Sequence, residues 1–288
     1  MPQPLLIPSD LQEPWQRLLE RLRELAPLVV AFSGGVDSSL LLAAATQALG
    51  ATQALAAGVR AALCLGPFTP PWEAARARQV AAQLGADLVE LDAGEMEDPA
   101  ILANDPLRCY HCKRLRLTLL TRLAREWGFK SVVEGSQLDD AKDYRPGSRA
   151  VKELGVQSPL ALAGLDKAAV RRLSQALGLA TAQIPSGACL ATRVPTGTPL
   201  RLEVLARIGQ AEEAVRALLP GQVRVRDHFP LARLELEPTV LASAVAEPLR
   251  GRLLAGLKAL GYARVCLDLA GYQPSGQPPK PAIGDHSA

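Results

Sequence analysis

The chain has 288 residues, 48% of them hydrophobic, which is ample for a folded core and excludes wholesale disorder. A net charge of +3 with 4% aromatics provides neither a basic arm nor a base-stacking surface, so a nucleic-acid partner is not expected. The five cysteines are odd in number and unevenly placed, and no segment reads as a signal peptide, so a reduced, cytoplasmic setting is expected rather than a disulfide scaffold.

The first dozen residues look loose. Apolar residues at 15, 18, 19, 22 and 25 have helical spacing. The wholly apolar run Leu28–Phe32 suits a strand buried on both faces. After a polar glycine turn, Ser38–Leu49 reads as a helix stopped by Gly50. A second strand is expected in Ala56–Leu65, a helix in Pro71–Leu84, and a third strand in Asp87–Leu91. A helix over Lys113–Trp127, a strand over Ser131–Glu134 and a helix over Asp166–Leu177, with Asp166 as N-cap, complete the pattern. Alternation at this interval predicts an α/β fold: a parallel sheet with helices on both faces and ligands at the carboxyl ends of its strands.

Residues 183–199 are rich in Pro and Gly and read as a loop or linker. Beyond them a helix (Leu200–Leu218), alternating runs at Val223–Arg226 and Ala232–Glu237, a helix (Thr239–Leu260) and a strand (Val265–Leu269) predict a small α+β domain. The expected organisation is 12–182, a loop over 183–199, a second domain over 200–271 and a disordered tail from 272. No apolar run approaches the ~20 residues needed to span a bilayer.

The most informative segment is VVAFSGGVDSSLL. An apolar strand enters Ser33-Gly34-Gly35-Val36-Asp37-Ser38 and leaves as a helix. Two glycines let successive N–H groups converge on an anion, the serines add hydroxyls, and the helix start adds its dipole. Asp37 beside a phosphate makes sense if Mg2+ is present. No Lys follows the glycines, which excludes the other common phosphate-loop pattern.

Cys109 and Cys112 form a C-x-x-C just before the predicted helix at 113, and Cys189 lies in the loop IPSGACLATRVPTG. In a reduced compartment C-x-x-C points to a metal, a cluster or redox exchange. His111 is awkwardly placed as a fourth zinc ligand, and three thiolates suit a 4Fe–4S cluster with one open iron. Arg193, four residues after Cys189, is a cation that would favour its thiolate. Cys64 and Cys266 lie in apolar runs and are expected in cores.

The hexapeptide resembles the pyrophosphate loop of the PP-loop ATP pyrophosphatases, and Ser158-Pro159-Leu160 followed by Lys167 resembles the segment where a Lys meets the ATP phosphates. FSGGVDSSLL, NDPLRCYHCK, EGSQLDDAKDYRPG, GVQSPL, GLDKAAVRRLSQALGL, PSGACLATRVPTG and VRVRDHFPLARLELE together resemble the LarE family of ATP-dependent sulfur transferases, of the nickel-pincer nucleotide pathway that matures lactate racemase. The resemblance implies ATP and Mg2+ bound by Ser33, Gly34, Gly35, Val36, Asp37, Ser38, Gly135, Asp139, Asp140 and Arg145. It implies catalytic roles for Asp37, Lys167, Cys189 and Arg193. Arg224, Arg226 and Glu235 would meet a small nucleotide substrate. The implied reaction adenylates a carboxylate of pyridinium-3,5-biscarboxylic acid mononucleotide and replaces AMP by sulfur. Members with one functional Cys sacrifice its sulfur. This chain has the three-cysteine pattern, which implies a 4Fe–4S cluster on Cys109, Cys112 and Cys189. A homo-oligomer and no membrane partner are also implied. Where many members end the second strand in Ser, this chain has GVRAALCLGPFTPP. An amidating PP-loop synthetase and a tRNA-thiolating enzyme are the alternatives.

Overall fold

The computed structural model describes residues 7–50, 58–141, 146–185 and 187–273. They form two compact units: one comprises Thr192 and the residues before it plus Thr196–Leu205, the other Arg193–Pro195 and the chain from Ala206.

The first unit contains α1 (Gln12–Leu25), β1 (Leu28–Ala31), α2 (Val36–Ala48), β2 (Val59–Leu65), α3 (Pro71–Gln83), β3 (Leu88–Asp92), α4 (Pro99–Leu102), α5 (Arg108–Glu126), β4 (Ser131–Val133), α6 (Pro146–Glu153), α7 (Pro159–Leu162) and α8 (Lys167–Ala176). The strands pair in parallel in the order β3-β2-β1-β4. Alternate residues of β1 serve different cores. Leu28 and Val30 join Leu18, Leu22, Leu41 and Val170 on one face, whereas Val29 joins Leu117, Leu120 and Val151 on the other. The sheet is therefore covered by helices on both faces, as its apolar strands require. The N-terminal segment is more ordered than its composition suggests: Ser9–Leu11 form a 3-10 turn and Leu11 is buried.

The second unit begins within α9 (Leu202–Arg216), whose first residues are grouped with the first unit. It continues with β5 (Val223–His228), β6 (Leu231–Leu236), α10 (Leu241–Val245), α11 (Leu249–Ala259) and β7 (Arg264–Leu267). β5 and β6 are antiparallel, and β7 adds in parallel to β6. The single helix expected over 239–260 is broken. Pro248 lacks the N–H that helix continuation needs, so the chain stops at Val245 and restarts at Leu249. Cys266, expected in a core, is exposed because β7 is the sheet's edge and Cys266 lies on its outer side. Tyr272 is not free tail, since its amide donates to Leu236 O at 2.7 Å. Among the described residues no helix is long and apolar enough to cross a membrane.

Candidate functional site

The phosphate-type loop lies at the carboxyl end of β1. The following helix starts earlier than expected, at Val36 with Gly35 as N-cap, so Asp37 and Ser38 belong to its first turn. Gly34 has φ +70°, and a Cβ there would lie 2.6 Å from Cα and Cβ of Ala77 in α3. Both facts demand glycine. Ser33 and Ser38 tie the loop. The Ser33 amide donates to Ser38 Oγ at 3.2 Å, the two hydroxyls are 3.1 Å apart, and Ser38 Oγ donates to Gly35 O at 3.2 Å.

Asp37 receives Lys167 Nζ on both carboxylate oxygens, at 2.8 and 2.6 Å. Lys167 opens α8 behind its N-cap Asp166, whose carboxylate accepts from the Ala169 amide at 2.7 Å. Asp139 accepts from the Lys167 amide at 3.0 Å, and Asp140 accepts from the Gln137 amide at 2.9 Å. Gly135 abuts the loop: a Cβ there would come 3.0 Å from the Ser38 amide nitrogen. Asp37, Lys167, Gly135 and Asp139 thus meet at one sheet edge. Arg145 lies outside the described residues.

Sequence reasoning missed Glu134, which follows β4 and is buried. It accepts from Lys113 Nζ at 2.8 Å, from Ser136 N and Oγ at 3.1 and 2.9 Å, and from Ser158 Oγ at 2.5 Å. Burial pushes the carboxyl up, but the Lys113 charge and these hydrogen bonds outweigh it and hold Glu134 below the ordinary carboxylate value. Lys113 is adjacent in sequence to Cys112, so α5 carries a thiol and the partner of Glu134 side by side.

The C-x-x-C sits inside α5, not before it. The helix starts at Arg108, after the Asp105 carboxylate accepts from the Leu107 amide at 2.8 Å. Asp105-Pro106 immediately precedes the N-cap Leu107, a turn signal ahead of the helix. Cys109 and Cys112 therefore occupy one helix face at i, i+3. Cys189 is brought to them by a pinned loop. The Leu190 amide donates to Phe68 O at 2.9 Å, and Arg108 Nη1 donates to Ala191 O at 3.2 Å. Arg108 Nη2 also approaches Cys109 Sγ at 3.7 Å. Cys112 feels the charges of both Cys189 and Cys109. Burial pushes its thiol up to about 11, against the opposing pull of Arg116. Cys64 is buried as expected, and burial likewise pushes its thiol up to about 11.

In the second unit Arg193 is buried and paired with Glu212 through Nε and Nη2 at 2.8 and 3.0 Å. Glu212 also accepts from the Val225 amide at 3.0 Å. Arg224 and Arg226 share a face of β5, and Glu235 stands opposite Arg224 on β6. Glu235 nevertheless pairs with Arg226 at 2.8 Å and with Arg233 at 2.9 Å. Arg224 is left with Val223 O at 2.9 Å through Nη1, while its buried Nη2 has no partner among the described residues. Its guanidinium lies over the Tyr272 ring. Burial, reinforced by the like charge of Arg193, draws Arg224 below the ordinary arginine value.

Among the described residues no three His, Cys, Asp or Glu side chains converge closely enough to hold a single metal ion. A polynuclear cluster makes a different demand, since its thiolate ligands stand around a group of several atoms. Three thiols, with Cys112 in electrostatic reach of the other two, one exposed and two half-buried, fit such a group in donor chemistry. Asp37, a carboxylate at a phosphate-type loop, likewise fits Mg2+.

Residues 17–133 match the family model described as asparagine synthase. Over 256 residues, 89% of this chain and 90% of the relative, the chain is 33% identical to the pyridinium-3,5-bisthiocarboxylic acid mononucleotide synthase of Lactiplantibacillus plantarum. The chain belongs to the LarE family. It is an ATP-using enzyme on a PP-loop fold. A relative from Synechocystis sp., an uncharacterized protein, is 38% identical over 259 residues, 88% of this chain and 94% of that one. The NMN synthetase from Francisella tularensis superposes with a TM-score of 0.46 and 16% identity, over 61% of this chain and 75% of that one. Within this LarE-family site, Glu134, Lys113 and Arg116 carry no sequence signal of their own, because only the fold brings them to the loop and the thiols.

Proposed function

We propose that this LarE-family chain converts pyridinium-3,5-biscarboxylic acid mononucleotide to the bisthiocarboxylic acid, using ATP and an inorganic sulfur source. The observation that carries the reading is the double duty of α5. One helix presents Cys109 and Cys112 and, through Lys113, grips Glu134 beside the Gly135 that abuts the phosphate loop. An activating centre and a thiol centre are thereby built on one rigid element. The named relative from Lactiplantibacillus plantarum supports the choice of substrate.

A carboxylate is a poor electrophile, and ATP supplies the leaving group. A substrate carboxylate oxygen attacks the α-phosphorus and pyrophosphate departs. Sulfur then attacks the acyl carbon, and the carbon–oxygen bond to AMP breaks, so AMP leaves with that oxygen. The loop amides at Gly34–Ser38 and the hydroxyls of Ser33 and Ser38 bind the polyphosphate. With Mg2+-ATP bound, Asp37 would hold the metal and Lys167 would turn to the phosphates, each released from the other. Arg224, a buried cation with an unpartnered Nη2, suits the phosphate of the nucleotide substrate, with Arg226 and Glu235 flanking it. Arg193 acts by position, since its guanidinium is held by Glu212.

A 4Fe–4S cluster would be held by Cys109, Cys112 and Cys189. When bound, it supplies a site at which sulfide is carried without breaking a protein bond. The test supplies ATP, Mg2+, substrate, sulfide and ammonium under anaerobic conditions, counts AMP and weighs the product. AMP formed in step with a mass gain of sulfur for oxygen supports the reading. ATP cleavage with an amide product would assign the chain to amidation.

A further inference from the structure

Arg116 lies on α5 at i+7 from Cys109 and i+4 from Cys112, which places all three on one helix face. Its Nε donates to Glu95 Oε1 at 2.5 Å. That carboxylate is fully buried, and its other oxygen, Oε2, has no hydrogen-bond partner among the described residues. Room for Oε2 is kept by Gly66, just past β2, where a Cβ would come within 2.7 Å of it. A buried carboxylate with one orphaned oxygen is expensive to keep. What it achieves here is to fix a guanidinium by one edge.

The other edge of that guanidinium is uncommitted. Its terminal amines take no hydrogen bond among the described residues, and they are not among the buried unpaired atoms. Cys112 lies one helical turn before Arg116 on the same face of α5. Arg108 adds a second cation on the Cys109 side. An arginine pinned through Nε, one helical turn from the half-buried thiol of Cys112, is suited to receive a small anion.

We propose that Arg116, positioned by Glu95, is an anion-receiving group at the thiol site, and that its natural ligand is hydrosulfide approaching beside Cys112. The inference deepens the sulfur-transfer reading and rests on it for the identity of the anion. Recruitment of anions as such needs neither cluster nor substrate. Arg116 is therefore a positioning residue for incoming sulfur and does not itself enter bond making.

The cluster-free full-length chain is alkylated in parallel with iodoacetate, which is anionic, and iodoacetamide, which is neutral. Rates are mapped by mass spectrometry at Cys109, Cys112, Cys189 and the exposed Cys266. The ratio of the two rates cancels the thiolate fraction of each cysteine and leaves the recruitment of negative charge. At Cys112 the ratio should exceed that at Cys266 by about fivefold at low salt, the size of one close, screened charge. Arg116→Met should erase the excess and Arg116→Lys should keep part of it. Glu95→Gln, which keeps an acceptor for Nε but removes a negative charge, should keep or raise the excess while leaving the ratio at Cys266 unchanged. Equal ratios at Cys112 and Cys266 in the wild-type chain, or an excess that survives Arg116→Met, would overturn the proposal. Whether sulfur transfer is supported by added sulfide is a separate measurement, so failure of the sulfur-transfer reading and failure of the anion site are told apart.

Discussion

Lys167 and Asp37, 130 residues apart in sequence, meet with both carboxylate oxygens of Asp37 within 2.8 Å of the ammonium. One side chain stands in the first turn of the helix after the phosphate loop, and the other opens α8. Each neutralises the other, so neither charge beside the loop is left uncompensated.

Breaking this pair should therefore harm catalysis far more than folding. Both side chains are about a third exposed, where an ion pair contributes no more than about 1 kcal/mol. Asp37→Asn and Lys167→Met should each lower AMP formation by about a hundredfold or more, the scale seen when a pre-placed charge is removed. Thermal midpoints should shift by only a few degrees. Steady-state AMP release and calorimetry check both halves, and wild-type AMP formation in either variant would remove these residues from the site.

Gly34 and Gly178 offer a controlled comparison. Both have positive φ, +70° and +66°, but only Gly34 faces a neighbour, Ala77 at 2.6 Å, while a Cβ at Gly178 meets nothing. Gly178→Ala should cost about 1 kcal/mol from backbone conformation alone. Gly34→Ala should cost clearly more in denaturant titration, and Ala77→Gly in the same chain should recover little of the difference, because the Ala77 Cα also lies 2.6 Å away. Equal losses at the two glycines would mean that the approach of α3 to the loop is not tight.

Glu134 predicts an acid limb of stability. Its folded carboxyl lies below the ordinary 4.5, so its ionised form contributes stability above that pH, and the contribution disappears as pH falls through the lower folded value. Glu134→Gln should flatten the loss of stability on acidification between pH 4.5 and the folded value. It should also loosen Ser158 and Lys113. Denaturant midpoints across the acid range provide the measurement, and an unchanged acid slope in Glu134→Gln would contradict the assignment.

The sulfur source is decided by stoichiometry. With sulfide and ATP supplied anaerobically, a cluster on three thiolates predicts several products per chain and an unaltered Cys189 mass. Cys109→Ala should then be as damaging as Cys189→Ala, because two thiolates hold a cluster poorly. If Cys189 is the sacrificial donor, its Cβ–Sγ bond breaks, one sulfur is transferred per chain so that each bisthiocarboxylate takes two chains, and Cys189 loses the mass of hydrogen sulfide. Iron and sulfide analysis of the anaerobic protein accompanies the mass measurement.

The parallel sheet is legible in the sequence because its strands are short apolar runs set between helix stop and start signals, and the phosphate loop because its glycines and serines are contiguous. Elsewhere weak local signals compete. The start of α5 is hidden because polar Arg108–Lys113 masks the helical face, while Asp105-Pro106 carries the true signal. The break at Pro248 is easily read through because the flanking residues keep helical spacing. Cys266 looks like a core residue because an edge strand and a central strand are alike until pairing is known. Glu134, Arg116 and Glu95 are out of reach for a different reason. Each is an ordinary surface-type residue in sequence, and only long-range packing buries it or aims it.

Arg193–Pro195 belong to the second unit although the chain on both sides of them belongs to the first. The second unit is consequently not a cassette that can be lifted out by one cut. A fragment beginning at Ala206 would carry Glu212 but lack Arg193, leaving a carboxylate sealed in that unit's interior with no counterion. Swapping this unit between relatives would have to transplant the short Arg193–Pro195 passage as well, and with it the stretch that begins four residues after Cys189. The Cys189 loop and the second unit's interior are thus joined through one short passage of chain.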